Sequence, residues 1–139
     1  MTYQLEEPFF EDTGRIISQK EIGDNKTQMT FSSTGKIKGN IEVTNLGELV
    51  SMSKGNKGTS AQGQGVVTTK DGNEKASYTF LQVGRTITKD GKPILRGVGS
   101  AVWSSDSTGK LAFLDNVLSF FIIEVDETGN FSSKDRELK

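Results

Sequence analysis

The sequence contains no cysteine and no histidine. Without thiolate and imidazole ligands it cannot build the usual zinc sites, and it cannot form a disulfide, a cysteine nucleophile or a Ser-His-Asp triad. These absences exclude most hydrolase chemistry. We therefore expect no metal and no cofactor.

Neither an excess of one charge nor a long apolar run is present. The 17 basic and 18 acidic side chains leave a formal net charge of −1, which argues against a nucleic-acid partner. No stretch approaches the roughly 18 apolar residues of a membrane span, and the first residues lack the pattern of a secretory signal. We expect a cytoplasmic protein that does not enter a membrane.

Alanine is also scarce, with four residues against 14 threonines, 14 serines and 16 glycines. This composition disfavours helices and favours strands joined by tight turns. Turn signals divide the chain into eight or nine segments rich in β-formers. The signals are residues 23–25, 34–35, 71–73, 90–91, 108–109 and 128–130.

Many consecutive antiparallel strands leave exposed edges unless the sheet closes on itself. We therefore predict an all-β protein, an eight-stranded antiparallel up-and-down barrel, with a β-sandwich as the alternative. Gly97 and Gly99, in the middle of a strand, fit such closure. Residues 14–139 form the single barrel domain in this prediction, residues 1–13 an N-terminal arm, and a short helical turn in 110–114 caps one end.

Aromatic side chains supply the candidate ligand-binding residues. Tyr78 and Phe80 alternate with Gln82 on one face of a strand, and Trp103 shares a face with glycines on the next. Aromatic rings beside glycines can line a cavity. The four residues are predicted to bind a ligand, and the alternative is that they fill a small core.

Glu124 is the weak candidate for a catalytic group. It alternates with Leu118, Phe120 and Ile122 in the most apolar segment, so an inward face would place its carboxyl in an apolar interior and raise its pKa. The alternatives are that the opposite face, which carries Phe121, Ile123 and Val125, points inward, or that Glu124 lies at the strand end and reaches water.

The segment around Phe9 and Phe10 places two phenylalanines between acidic pairs. A filled barrel has no obvious room for both rings. We therefore predict a homodimer or trimer with Phe9 or Phe10 at the contact.

Several short motifs resemble a known barrel family. NLGELV at 45–50 and ASYTF at 76–80 are similar to segments of the plant allene oxide cyclases. RGVGSAVW at 96–103, TGKLAFLDN at 108–116 and EVDETGN at 124–130 look more like a group of uncharacterised prokaryotic calycin-like barrel proteins related to those cyclases.

The resemblance implies an eight-stranded barrel, a central apolar cavity and oligomers assembled through barrel walls. It transfers no catalytic residue, because the segment 21–25 lacks the spacing of the Glu-x-Asn motif of the cyclases. The leading hypothesis is a protein that binds a small apolar or amphipathic ligand inside the barrel. The alternatives are an allene-oxide-cyclase-like isomerase or cyclase that uses Glu124, and a structural or interaction subunit without a ligand.

Overall fold

The computed structural model describes residues 5–138 and is a closed barrel of eight antiparallel strands. Each strand pairs with the next one along the chain, and β8 pairs with β1 to close the barrel. The predicted fold class is confirmed. The strands are β1 (Leu5–Gly23), β2 (Lys26–Ile37), β3 (Ile41–Ser53), β4 (Thr59–Thr69), β5 (Lys75–Lys89), β6 (Lys92–Ser104), β7 (Val117–Val125) and β8 (Asn130–Leu138).

Two hairpin turns illustrate how local sequence sets the strand boundaries. Asp90 and Gly91 join β5 to β6 and both have positive φ, as the tightest hairpins require. The predicted turn at 34–35 is wrong. β2 continues to Ile37, which lies opposite Ile41, and the chain reverses through Lys38 and Gly39, again with positive φ.

The N-terminal segment 5–13 is part of the barrel rather than an arm, so the predicted boundary at residue 13 is wrong. It belongs to β1 and pairs with both β2 and β8. The pairing with β8 shifts register around Pro8, where a residue without an N–H fits a break in the ladder. Residues 1–4 lie outside the described residues.

The same bulged region accommodates both phenylalanines. Phe10 is 2% exposed and packs inside the barrel, while Phe9 lies at the barrel end and contacts Trp103 and Phe113 edge to face. The ring of Phe10 is therefore unavailable to another subunit, and its prediction as an oligomer contact is wrong. Phe9 packs mainly on its own chain, which removes the reason for placing it at a contact.

One end of the barrel is closed. The single-turn 3-10 helix Ala112–Leu114 covers it, and Leu111 and Leu114 have no exposed surface. The amine of Lys38 lies 3.7 Å from the centre of the Phe113 ring on the outside of this cap. At the opposite end, inward apolar side chains such as Met29 and Val125 are only half-buried. The interior therefore reaches solvent at that open end.

Part of the outer surface is apolar as well. Neighbouring strands β5, β6 and β7 expose a set of aliphatic side chains and one phenyl ring, which we call the outer apolar wall. Its members are Leu81, Val83, Val98, Val102, Leu118, Phe120 and Ile122. Among residues 5–138 there is no helix with the length and hydropathy needed to cross a membrane.

Candidate functional site: the barrel interior

The barrel interior contains a cavity of about 130 Å³ that is reached from the open end. Its walls are mostly aromatic and aliphatic. Phe31 packs edge to face on Phe80 and Phe131 with ring centroids 6.2 Å apart, and Phe80 packs on Phe121 at 5.9 Å. Such edge-to-face pairs favour a fixed arrangement of rings. The cavity therefore has a defined aromatic lining.

Inward-facing glycines make room for these rings. A Cβ added at Gly65 would lie 2.4 Å from the hydroxyl oxygen of Tyr78, and one at Gly47 would lie 2.3 Å from Cζ of Phe31. Distances this short are incompatible with a side chain. The interior thus combines large rings on some strands with bare backbone on their neighbours, and this pairing sets the position of each ring.

A chain of hydrogen bonds leads from Tyr78 to a buried carboxyl. The Tyr78 hydroxyl donates to Oδ1 of Asn45 at 2.8 Å, and Nδ2 of Asn45 donates to Oγ of Ser33 at 3.1 Å. The Ser33 hydroxyl then donates to Oδ2 of Asp12 at 2.5 Å. Within residues 5–138, Oδ1 of Asp12 is the buried side-chain atom that has no hydrogen-bond partner.

A second chain ends at Asp135. Nε1 of Trp103 donates to Oγ of Ser119 at 2.9 Å, and the Ser119 hydroxyl donates to Oδ2 of Asp135, also at 2.9 Å. Asp135 lies on β8 beside β1, where its partner in the register is Phe10, and Asp12 is paired with Ser133. The two carboxyls are therefore diagonal neighbours on the inner face.

Burial dominates the acidity of both groups. Desolvation raises the pKa of Asp12 to about 6, and the hydrogen bond from Ser33 opposes that shift. Desolvation raises the pKa of Asp135 to about 8, and the nearby charge of Asp12 contributes in the same direction. Desolvation also raises the pKa of the Tyr78 hydroxyl. At neutral pH Asp12 is mainly ionised and Asp135 is mainly protonated.

All four residues predicted to bind a ligand face inward. Tyr78, Phe80, Gln82 and Trp103 line the cavity, and Tyr78 and Trp103 lie with ring centroids 4.7 Å apart. The four residues that the sequence predicted to share a cavity therefore lie around the same cavity in the folded protein. That they contact a ligand stays a prediction.

Glu124 is on the outside, so its placement in an apolar interior is wrong. Phe121 is on the inward face of β7, and Glu124 is on the opposite, outward face. The carboxylate of Glu124 pairs with the amine of Lys89 at 2.7 Å on the outer surface. Both faces of β7 are apolar because one contributes to the outer apolar wall. Alternation alone could not tell which face was inward.

Sequence reasoning missed the two interior carboxyls and their partners. Asp12 is on the same strand face as Phe10, Asp135 is on the same face as Phe131, and Asn45 is on the same face as Val43. All six residues are buried. The sequence signal for an interior polar group was a polar residue two or four positions from a large apolar residue on the same strand. For Asp12 it was hidden because the segment was assigned to an arm.

Comparison with known proteins supports the fold and goes no further. No family model and no curated protein matches the chain. A solved structure of a conserved protein of unknown function from Rhodopseudomonas palustris is similar, with a TM-score of 0.72, 15% identity and full coverage of both chains. A protein with unknown function from Clostridium acetobutylicum has a TM-score of 0.75 and 11% identity, over 100% of this chain and 99% of that one.

Proposed function

We propose that this protein binds a small amphipathic molecule in the barrel interior. The observation that carries the proposal is a cavity lined by aromatic rings that also contains a polar cluster. Binding sites of this kind combine a mostly apolar lining with a few polar groups that fix orientation. Tyr78, Phe80, Gln82 and Trp103 supply both kinds of surface.

The volume of the cavity limits the ligand. An apolar cavity of about 150 Å³ in a protein core holds one benzene molecule, and the volume here is about 130 Å³. The ligand is accordingly about the size of one small ring. A fatty-acid chain or an isoprenoid exceeds this space.

The distribution of lining residues gives the ligand an orientation. The carboxyls and Asn45 belong to the two hydrogen-bonded chains that begin at Tyr78 and Trp103. Met29, Leu49 and Val125 line the half-buried, open end. A ligand entering there leads with its polar group and leaves its apolar part among side chains of the same kind. Burial of that apolar surface contributes about 25 cal/mol per Å² to the favourable part of binding, from which the entropic cost of association is subtracted.

The experiment uses benzene and phenol at millimolar concentrations. Trp103 is the only tryptophan and lines the cavity, so its fluorescence should change saturably on binding. Ala61→Met fills the cavity from β4 and should abolish the response. Gln62→Met, at the next position and on the outer face, is the matched control and should leave the response intact.

Two results contradict the proposal. One is the absence of saturable binding of either compound, by fluorescence and by calorimetry. The other is binding that survives Ala61→Met while urea unfolding confirms that the variant is folded.

We also propose that the outer apolar wall binds a second copy of this chain. Contiguous apolar patches larger than a few hundred Å² mark contact sites in soluble proteins. Arg136 and Lys134 on β8 border one edge of the wall, and the amine of Lys134 also lies 3.5 Å from the carboxylate of Glu11. Glu48 on β3, which accepts a hydrogen bond from Gln64 at 3.1 Å, lies beyond the opposite edge. A two-fold axis through the wall brings the basic edge of one copy to the acidic edge of the other.

Sedimentation tests this contact. Leu81→Lys places a charge in the wall and should convert the oligomer to monomer. Leu46→Lys is the matched control, because Leu46 is equally exposed, at 61% against 62%, but lies outside the wall. A monomeric wild type, or an oligomer that Leu81→Lys leaves unchanged, contradicts the proposal.

A further inference from the structure

Building on the proposed ligand site, we propose that its preferred ligand is a small organic ammonium ion whose N–H group donates to Oδ1 of Asp12. This inference names the chemical class of the ligand and holds only if the interior binds a small molecule at all. It follows from the hydrogen bonding of Asp12, the charge of the lining and the aromatic rings around the cavity.

The hydrogen bonding of Asp12 leaves one acceptor free. Oδ2 accepts from Ser33, whereas Oδ1 is buried without a partner in the described structure, and the whole residue is 6% exposed. A buried acceptor without a donor costs about 1–3 kcal/mol. Asp12 also lines the cavity, so a ligand in that space can supply the missing donor.

The charge of the lining favours a cation. Asp12 and Asp135 contribute carboxyls, and none of the described residues that line the cavity is a lysine or an arginine. Within residues 5–138, the hydrogen-bonded chain that ends at Asp12 consists of the neutral side chains of Ser33, Asn45 and Tyr78, and only Ser33 donates to Asp12 itself. The carboxyl of Asp135 is the nearby acidic group. A positively charged ligand therefore has its counter-charge in place.

The aromatic lining adds to this preference. Phe31, Phe80, Phe121 and Phe131 line the same cavity as Asp12. The faces of aromatic rings attract cations, and this attraction strengthens where water is excluded. A primary or secondary ammonium fits better than a quaternary one, because only an N–H group satisfies Oδ1. A neutral alcohol also offers a donor to the carboxylate, but it carries no positive charge to pair with the carboxylate or to interact with the ring faces.

The inference has a characteristic pH dependence. Protonation of Asp12, whose pKa is about 6, removes the counter-charge and makes the free oxygen a poorer partner for a cation. Ionisation of Asp135 near pH 8 adds a second negative charge. Affinity for an amine should therefore rise between about pH 5 and about pH 8.5, a range in which an alkylamine stays protonated.

The experiment compares cyclopentylamine with cyclopentanol, two molecules of nearly the same shape with as many non-hydrogen atoms as benzene. Calorimetry and Trp103 fluorescence measure both affinities at pH 7 for the wild type, Asp12→Asn and Glu11→Gln. Glu11→Gln is the matched control, since Glu11 is the next residue on β1 and its carboxylate lies outside, 3.5 Å from the amine of Lys134.

We expect the amine to bind the wild type at least about tenfold more tightly than the alcohol. Asp12→Asn should remove that advantage, and Glu11→Gln should preserve it. Equal binding of amine and alcohol overturns the ammonium inference and leaves the proposed function standing. Binding of neither compound, with benzene and phenol also failing, overturns both.

A pH series on the wild type keeps the inference testable if Asp12→Asn does not fold. Affinity for cyclopentylamine should fall at least about fivefold from pH 8 to pH 5, and affinity for cyclopentanol should change little. A pH-independent amine affinity overturns the inference. So does amine binding that Glu11→Gln weakens and Asp12→Asn does not, because it places the cation on the outer surface.

Discussion

Replacing Asp135 with asparagine should stabilise this protein, increasingly so as the pH rises. The pKa of Asp135 is about 8 in the folded protein, whereas the ordinary value for an aspartate, which applies to the unfolded chain, is 3.8. Between these values the unfolded chain has released a proton that the folded protein still holds. The free energy of unfolding therefore falls as pH rises through this window. Below it both states are protonated, and Asp135 has no effect.

The magnitude follows from 1.36 kcal/mol for each pKa unit, which gives a loss of up to about 6 kcal/mol by pH 8. Asparagine is neutral in both states and accepts the same hydrogen bond from Ser119. Asp135→Asn and the wild type should be about equally stable near pH 4, and the variant should gain up to that amount by about pH 8.5. Asp12, with a pKa of about 6, adds a smaller loss that is complete at lower pH.

Urea unfolding followed by Trp103 fluorescence measures this dependence at several pH values from about 4.5 to about 8.5. The sequence has no histidine and no cysteine whose side chains would titrate in this window, and the contribution of Asp12 is common to both proteins. Asp126→Asn is the matched control. Asp126 is an exposed turn residue whose pKa is lowered by a hydrogen bond from Thr128, so its replacement should bring no gain at high pH. A wild-type stability that is flat over the window, or parallel curves for wild type and Asp135→Asn, refutes the reasoning.

Two further predictions concern packing. Gly65→Ala should lower the free energy of unfolding by about 1–3 kcal/mol and weaken ligand binding, because the new Cβ would lie 2.4 Å from the hydroxyl oxygen of Tyr78. The control is Gly23→Ala, whose new Cβ has its nearest neighbour at 3.9 Å. Its stability in the same urea titration should be close to that of the wild type. Leu114→Ala should lower the free energy of unfolding by about 2–5 kcal/mol, because it opens a void in the closed end of the barrel. Leu46→Ala removes the same atoms from a side chain that is 61% exposed and should cost much less. An equal loss for both variants would show that Leu114 is not packed in the barrel end.

Sequence alone predicted the barrel because turn residues mark most strand ends. It failed where a pattern runs through a turn: Ile37 and Ile41 keep an unbroken alternation although they face each other across a hairpin. It also failed at Glu124, because both faces of β7 are apolar. The orientation of a strand depends on which partners surround it, and that information lies in residues far apart in the chain.

The candidate site divides in the same way. The inward rings of Tyr78 and Trp103 were predictable because Tyr78 and Phe80 share one face of a strand, and Trp103 shares a face with Gly97 and Gly99 on the next strand. The chain from Tyr78 through Asn45 and Ser33 to Asp12 joins four strands, and no local pattern encodes such a contact. The contact between Ser33 and Asp12 depends on the register of β1 with β2, which a bulge shifts between Ile16 and Ser18.

The cost of the interior carboxyls bears on why the cavity contains them. A buried carboxyl whose pKa is raised lowers the stability of the folded state at every pH above its ordinary value. Asp12 and Asp135 both have this effect, and the free oxygen of Asp12 adds an unsatisfied acceptor. Neutral side chains at these two positions would not have this pH-dependent cost. Folding therefore gives no reason for these carboxyls, whereas a ligand that donates to Asp12 gives one, since bound ligand offsets the cost by stabilising the state that binds it.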